Sequence, residues 1–196
     1  MLKLTESLHS TGFCHNDIKL DNFCVGLGPN SYVKGSGRIQ LFLNTSIKLV
    51  DFGFAKKFRK ITTGVHREKE YTGHVIGSPA YQSMNSHLGN SLSRQDDLES
   101  LSYVIVDMFS PDFLEKVVLK KDVDLYTAKK NLIVYMRQSN KFHDQIIDFV
   151  SYCQRLEFSR DPDYDYLTSL LQDLILKIAY EKSKRANSQI NERADR

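Results

Sequence analysis

The chain has 196 residues, 41% of them hydrophobic and 26% charged, with no Trp and a formal net charge of +3. Such a length supports one domain with a real core, roughly 70% of its extended-chain surface buried. The composition is that of a globular protein, and no apolar run approaches the ~18 residues that a membrane span needs. The start, Met1-Leu2-Lys3-Leu4-Thr5-Glu6, turns polar too soon for a signal peptide. Cys14, Cys24 and Cys153 are odd in number and widely spaced, so neither a zinc site nor a disulfide framework is indicated. The expected compartment is therefore reducing, cytoplasmic or nuclear. Residues 182–196 hold five basic and two acidic side chains, which leaves the preceding body neutral. With few large apolar groups, this basic tail is expected to be disordered or frayed and solvated. It is not read as a nucleic-acid arm, and neither nucleic acid nor membrane is an expected partner.

Leu4 and Leu8 sit at helical spacing, and Gly12 is a suitable stop. Two short strand-like runs follow, Asn22-Phe23-Cys24-Val25 and Ile47-Lys48-Leu49-Val50. Between them lie Gly26-Leu27-Gly28-Pro29-Asn30 and Gly35-Ser36-Gly37, which predicts a hairpin with a long glycine-rich connection. Residues 56–95 are polar and irregular, and a stretch of that kind inside a compact domain is usually functional. From residue 96, Leu98, Leu101, Ile105 and Met108 mark a helix that Val104 and Phe109 make apolar on most sides. Further helices are expected near 125–138, 142–156 and 164–181, the last with Asp163 as N-cap. The expected fold is mainly α (α+β), a helical domain over residues 1–181 with a small β-hairpin.

One cluster carries chemistry: His15-Asn16-Asp17-Ile18-Lys19-Leu20-Asp21-Asn22, then Asp51-Phe52-Gly53. Singly, Asp, Asn and Gly are turn residues for local reasons. In this order, around a hairpin, they resemble the protein-kinase catalytic loop H-R-D-x-x-x-x-N followed by D-F-G. The flanking text is similar to the casein kinase I family of serine/threonine kinases. Asp21-Asn22-Phe23 with Gly26-Leu27-Gly28 resembles D-N-F-x-x-G-L-G, and Asp51 through Arg59 resembles D-F-G-L-A-K-K-Y-R. Asn85-Ser86-His87-Leu88-Gly89 resembles N-T-H-L-G, and Ser93 through Leu101 resembles S-R-R-D-D-L-E-S-L. Asp161 through Leu167 resembles K-P-D-Y-S-Y-L. The likeness spans about residues 7 to 170 and implies the C-terminal lobe of a kinase.

The resemblance implies roles residue by residue. Phosphoryl transfer needs positioning and charge neutralisation more than covalent help. Asp17 would take the proton of a Ser or Thr hydroxyl on a protein substrate, and Lys19 would neutralise the transferring phosphoryl of ATP. Asn22 and Asp51 would hold Mg²⁺, a cation that prefers oxygen ligands. Cys24 would lie under the adenine. His15 and Phe52, with Gly53, would support the site; Asp97 would brace the loop backbone, and Ser78 would link the following segment to Asp17 and Lys19. The sequence departs from the family at Asn16, which replaces an Arg, and at Ser78-Pro79-Ala80-Tyr81, which stands for T-A-R-Y. Only 14 residues precede His15, so the glycine-rich loop, strand Lys and helix Glu of the other lobe are not seen. The chain alone is expected to be inactive, and a missing N-terminal lobe or a partner protein would cover its cleft. The alternative reading is a non-catalytic interaction or scaffold protein that kept the substrate-side lobe.

Overall fold

Helix α1 (Leu2–Ser10) buries Leu2, Thr5 and His9 on one side and stops where Gly12 takes a left-handed φ of 87°. A residue with a Cβ would pay for that conformation. The computed structural model describes residues 1–26, 32–33, 39–40, 46–118 and 124–194. Strand β1 (Phe13–Cys14) leads through a turn of 3-10 helix at Leu20–Asn22 into β2 (Phe23–Gly26). Then come β3 (Tyr32–Val33), β4 (Ile39–Gln40), β5 (Ser46–Leu49) and β6 (Lys56–Lys57).

Strands β2 and β5 form the expected antiparallel hairpin, with Phe23 opposite Leu49 and Gly26 opposite Ser46. Two further strand pairs were not legible in the sequence. Strand β1 pairs with β6, and β3 with β4 inside the long connection. Most of the glycine-rich text at 26–37 lies outside the described residues.

The helices are α2 (Met84–His87), α3 (Arg94–Phe109), α4 (Phe113–Val118), α5 (Leu125–Lys130), α6 (Leu132–Ser139), α7 (Asp144–Arg155) and α8 (Tyr164–Ala194). The domain is mainly helical with small antiparallel sheets. Helix α3 is its axis: eleven of its sixteen residues are buried, so it is covered on nearly every side. Its Leu98, Leu101 and Val104 join Ile18, Phe23, Phe149, Cys153 and Leu167 in one core cluster. Its Tyr103 and Val106 join Leu114, Leu132, Met136, Ile146 and Val150 in a second. Helix α7 lies between the two clusters through Phe149 on one side and Ile146 and Val150 on the other.

Three expectations need correction. The helix expected at 125–138 is two, broken at Asn131, which ends α5 and starts α6. Helix α4 was not foreseen, because at six residues it is too short to show a helical period and it lies next to Ser110-Pro111-Asp112. The helix expected at 164–181 runs on as α8 to Ala194, through most of the stretch expected to be disordered or frayed. The first turns are nucleated by packing and by Asp163, whose Oδ1 accepts from the Tyr166 amide at 2.8 Å. Once nucleated, a helix adds residues at little cost, and Lys, Arg, Ala, Gln and Glu propagate it well. No helix among the described residues is long and apolar enough to cross a membrane.

Burial sets a contrast that can be measured. Leu101 is 0% exposed in the core, whereas Leu176 on α8 is 68% exposed. Leu101→Ala is expected to cost about 2–5 kcal/mol. Leu176→Ala is expected to stay within about 0.5 kcal/mol of the parent. Urea unfolding monitored by circular dichroism reads both, and comparable losses would contradict the packing.

Candidate functional site

The loop from His15 to Asn22 crosses the N-terminal end of α3 and is tied there by one carboxylate. Asp97 Oδ2 accepts from the His15 amide at 2.6 Å, and Oδ1 from the Asn16 amide at 2.7 Å. Oδ2 also accepts from His9 Nε2 at 2.8 Å, while His9 Nδ1 meets the Tyr164 hydroxyl at 2.5 Å. Asp97 is buried, in the first turn of α3, where backbone N–H groups and the helix dipole favour a negative charge. Asn16 takes a left-handed φ of 68°, a conformation that Asn tolerates better than most residues. Its side-chain Nδ2 donates to the Phe54 carbonyl at 2.8 Å. Asn16 thus has a local job that depends on its being Asn.

The loop then brings the expected residues together. Asp17 is 5% exposed. Its Oδ2 accepts from Lys19 Nζ at 2.8 Å, and its Oδ1 accepts from the Ser78 amide at 3.1 Å and the Ser78 hydroxyl at 3.3 Å. Asn22 Nδ2 donates to the Asp17 carbonyl at 2.8 Å and lies 3.4 Å from Asp17 Oδ2. Turned this way, the Asn22 amide oxygen accepts no hydrogen bond among the described residues. The hydrogen bond to Asp17 raises the Lys19 pKa, so Lys19 stays cationic at neutral pH. Gly77, just before Ser78, has φ 96°, and a Cβ there would come within 3.2 Å of the Asn16 carbonyl oxygen. Only Gly allows so close an approach.

Asp51 arrives from the other arm of the hairpin. The Val50 amide donates to the Asn22 carbonyl at 3.0 Å, which continues the β2–β5 ladder by one step and places Asp51 immediately beyond Asn22. Pairing of the strands thus closes a 29-residue gap in sequence. Asp51 is exposed and has φ 63°, uncommon for a residue with a side chain. Its Oδ1 accepts from the Gly53 amide at 3.3 Å. The His15 ring packs edge-on to Phe52 with centroids 5.1 Å apart, and its Nε2 donates to the Val50 carbonyl at 3.0 Å. Cys24 is exposed on β2 opposite Lys48. It has no polar contact with the cluster. Val25, Phe52 and Phe54 are about half exposed.

Behind this cluster lies a second set of polar residues that the sequence did not single out. Asp96, Glu99 and Lys129 are all buried. Asp96 accepts from the Ser93 amide at 2.7 Å and the Ser83 hydroxyl at 2.6 Å, while burial raises its pKa to about 6. Glu99 Oε1 accepts from the Met84 amide at 2.9 Å and the Tyr103 hydroxyl at 2.6 Å. Burial lifts the Glu99 pKa to about 7. Burial also lowers Lys129 to about 7, and burial with the Lys129 charge lowers His87 to about 4. Nothing in the chain text marks Lys129 as unusual, since Lys is ordinarily a surface residue.

His9, Cys14 and Asp97 place one possible metal ligand each within 4.8 Å of one another. Spacing in the sequence did not flag this group. Both ring nitrogens of His9 are engaged, and burial raises the Cys14 pKa well above its ordinary value, which keeps it a thiol. The group therefore reads as a hydrogen-bonded buttress rather than a metal centre. No known protein-family model matches the chain.

Two outcomes follow from this geometry. Asp97→Ala strips the charged acceptor from two buried amides. With about 1.5–3 kcal/mol for a hydrogen bond to a charged group, the expected loss is about 3 kcal/mol or more. Hydrogen exchange should show the His15 and Asn16 amides unprotected, and retained protection would contradict their assignment to Asp97. The second outcome concerns pH. The Glu99 pKa rises from 4.5 to about 7 on folding. Its favourable contribution is therefore fully present below pH 4.5 and is lost as pH rises through about 7. Between those values the parent should lose stability relative to Glu99→Gln, by up to about 1.4 kcal/mol per pH unit. Denaturant unfolding of both proteins from pH 4.5 to 8 reads the difference, and parallel curves would contradict the raised pKa.

Proposed function

We propose that these residues form the substrate-side half of a serine/threonine protein kinase of the casein kinase I type. The observation that carries the reading is the convergence of Asp17, Lys19 and Asn22 in one hydrogen-bonded loop with Asp51 immediately beyond it across the hairpin. The fold agrees with a kinase C-terminal lobe in being mainly helical with a small hairpin beside the site.

The reaction is transfer of the ATP γ-phosphoryl group to a Ser or Thr hydroxyl of a protein. The hydroxyl oxygen forms the new bond to phosphorus, the bond to the bridging oxygen breaks, and ADP leaves with the electron pair. The hydroxyl proton passes to Asp17. Ser78, Lys19 and Asn22 hold that carboxylate in one orientation, so its acceptor lone pairs are aimed before substrate arrives. Lys19 supplies a positive charge beside the same carboxylate, placed to offset negative charge on the phosphoryl oxygens.

Asn22 and Asp51 fit Mg²⁺. The Asn22 oxygen accepts no hydrogen bond among the described residues, and Asp51 is exposed with one oxygen only weakly engaged. An amide oxygen and a carboxylate are the hard donors that this cation takes. When bound, Mg²⁺ would neutralise phosphate charge. Phe52 and Val25 offer apolar surface next to these donors.

The test has two parts. Mg²⁺ with ADP should shift the Asn22 side-chain amide and the Gly53 backbone amide in ¹H–¹⁵N spectra, and Asp51→Asn should abolish the shifts. With the N-terminal lobe of a casein kinase I joined ahead of Met1, the chain should phosphorylate casein. Asp17→Asn should then lower kcat by about 10²-fold or more. Full turnover in Asp51→Asn, or no response of either amide to Mg²⁺, would refute the reading and leave a binding module.

A further inference from the structure

Lys129 lies on α5, is 0% exposed, and forms no direct ion pair with a carboxylate among the described residues. A buried ammonium without a directly paired carboxylate is expensive, and an apolar residue of the same length would fill the space more cheaply. Its contacts show what it gives in return. Nζ donates to the Pro79 carbonyl at 2.9 Å, to the Gln82 carbonyl, and to His87 Nε2 at 3.1 Å. An ammonium has three donors, and all three are used.

Two of the acceptors belong to one turn. The Tyr81 and Gln82 amides both donate to the Ser78 carbonyl at 2.8 Å. That closes residues 78–82 on themselves, and the Gln82 side chain adds a bond to the Gly77 carbonyl at 2.5 Å. The turn presents the Pro79 and Gln82 carbonyls to Lys129. Its first residue presents the Ser78 amide and hydroxyl to Asp17 Oδ1. The turn is thus a rigid link between a buried cation and the carboxylate of the candidate site.

The cation itself is well fixed. Its own carbonyl accepts from Gln154 of α7 at 2.9 Å, and Nζ lies 4.8 Å from the centre of the Tyr103 ring on α3. Tyr103 in turn is held by Glu99. Burial lowers the Lys129 pKa to about 7 against the opposing charge of the nearby Glu99, and acceptors at hydrogen-bond distance favour the charged form of an amine.

We infer that Lys129 is a positioning residue for the Asp17 site: its ammonium pins the Ser78–Gln82 turn, and the turn holds Asp17 Oδ1. The functional part of this rests on the kinase reading of Asp17. It gives that site a support on the side away from Lys19 and Asn22, which hold Oδ2.

Hydrogen exchange on the whole chain tests the link directly. Lys129→Met keeps the length of the side chain and removes its donors. Protection of the Ser78 amide should fall about tenfold or more, while the His15 and Asn16 amides, held by Asp97, should keep theirs. An unchanged Ser78 amide, or an equal fall at all three, overturns the inference. If Lys129→Met does not fold, the parent carries the test. The Lys129 ammonium protons and the Ser78 amide must then show the same protection relative to their own intrinsic exchange rates, because one opening releases both; clearly lower protection of the ammonium overturns it. In the active preparation described above, Lys129→Met should lower kcat and leave the KM for ATP unchanged. The exchange result does not depend on phosphotransfer, so its failure refutes the positioning role. Absence of turnover with the exchange pattern intact refutes the kinase reading instead.

Discussion

The structure depends on one carboxylate. Asp97 accepts two consecutive backbone amides, those of His15 and Asn16, and a ring nitrogen from α1. Two adjacent N–H groups point the same way only where the backbone turns sharply, and the left-handed Asn16 provides that turn. The next residue, Asp17, therefore emerges at a fixed place. Because Asp97 rides on a helix that is buried on nearly every side, the anchor cannot move without opening the core. Close-packed interiors resist such displacement.

A second layer of polar groups extends the anchoring across the same helix. Asp96 holds Ser83 and the Ser93 amide, and Glu99 holds the Met84 amide and Tyr103. These carboxyls receive the chain between residues 83 and 93, which is poor in regular structure. Each such group carries a desolvation cost, visible in the raised pKa of Asp96 and of Glu99. What they supply is a defined path for an irregular segment. Backbone polar groups in such a segment need partners, and there the first turns of α3 provide them. Val25, on β2 after Asn22, and Phe52 and Phe54, which follow Asp51, are each about half exposed.

Much of the outline was legible in the chain text. The β2–β5 hairpin followed from two short apolar runs with glycine-rich text between them, and the residues of α3 from their repeating apolar positions. The proximity of Asn22 and Asp51 followed from the hairpin. The helix of residues 125–138 was seen as one because its periodicity continues through the break at Asn131. The extension of α8 past residue 181 was not legible, because that stretch has little to bury and helix propagation from a packed start needs no burial of its own.

By itself, the sequence determined local features: the periodic longer helices such as α1, α3 and α7, the stop at Gly12, and which oxygen-bearing side chains stand at the ends of the hairpin. These depend on neighbours a few residues apart, and periodicity reports them. Tertiary structure alone decided that Lys129 meets the carbonyls of Pro79 and Gln82, that Glu99 meets Met84, and that His9 joins Tyr164 to Asp97. Those partners lie between 15 and 155 residues apart. A buried Lys and an exposed one are written with the same letter. Which of them bears a functional load is settled only when packing removes the water around it and leaves particular acceptors within reach.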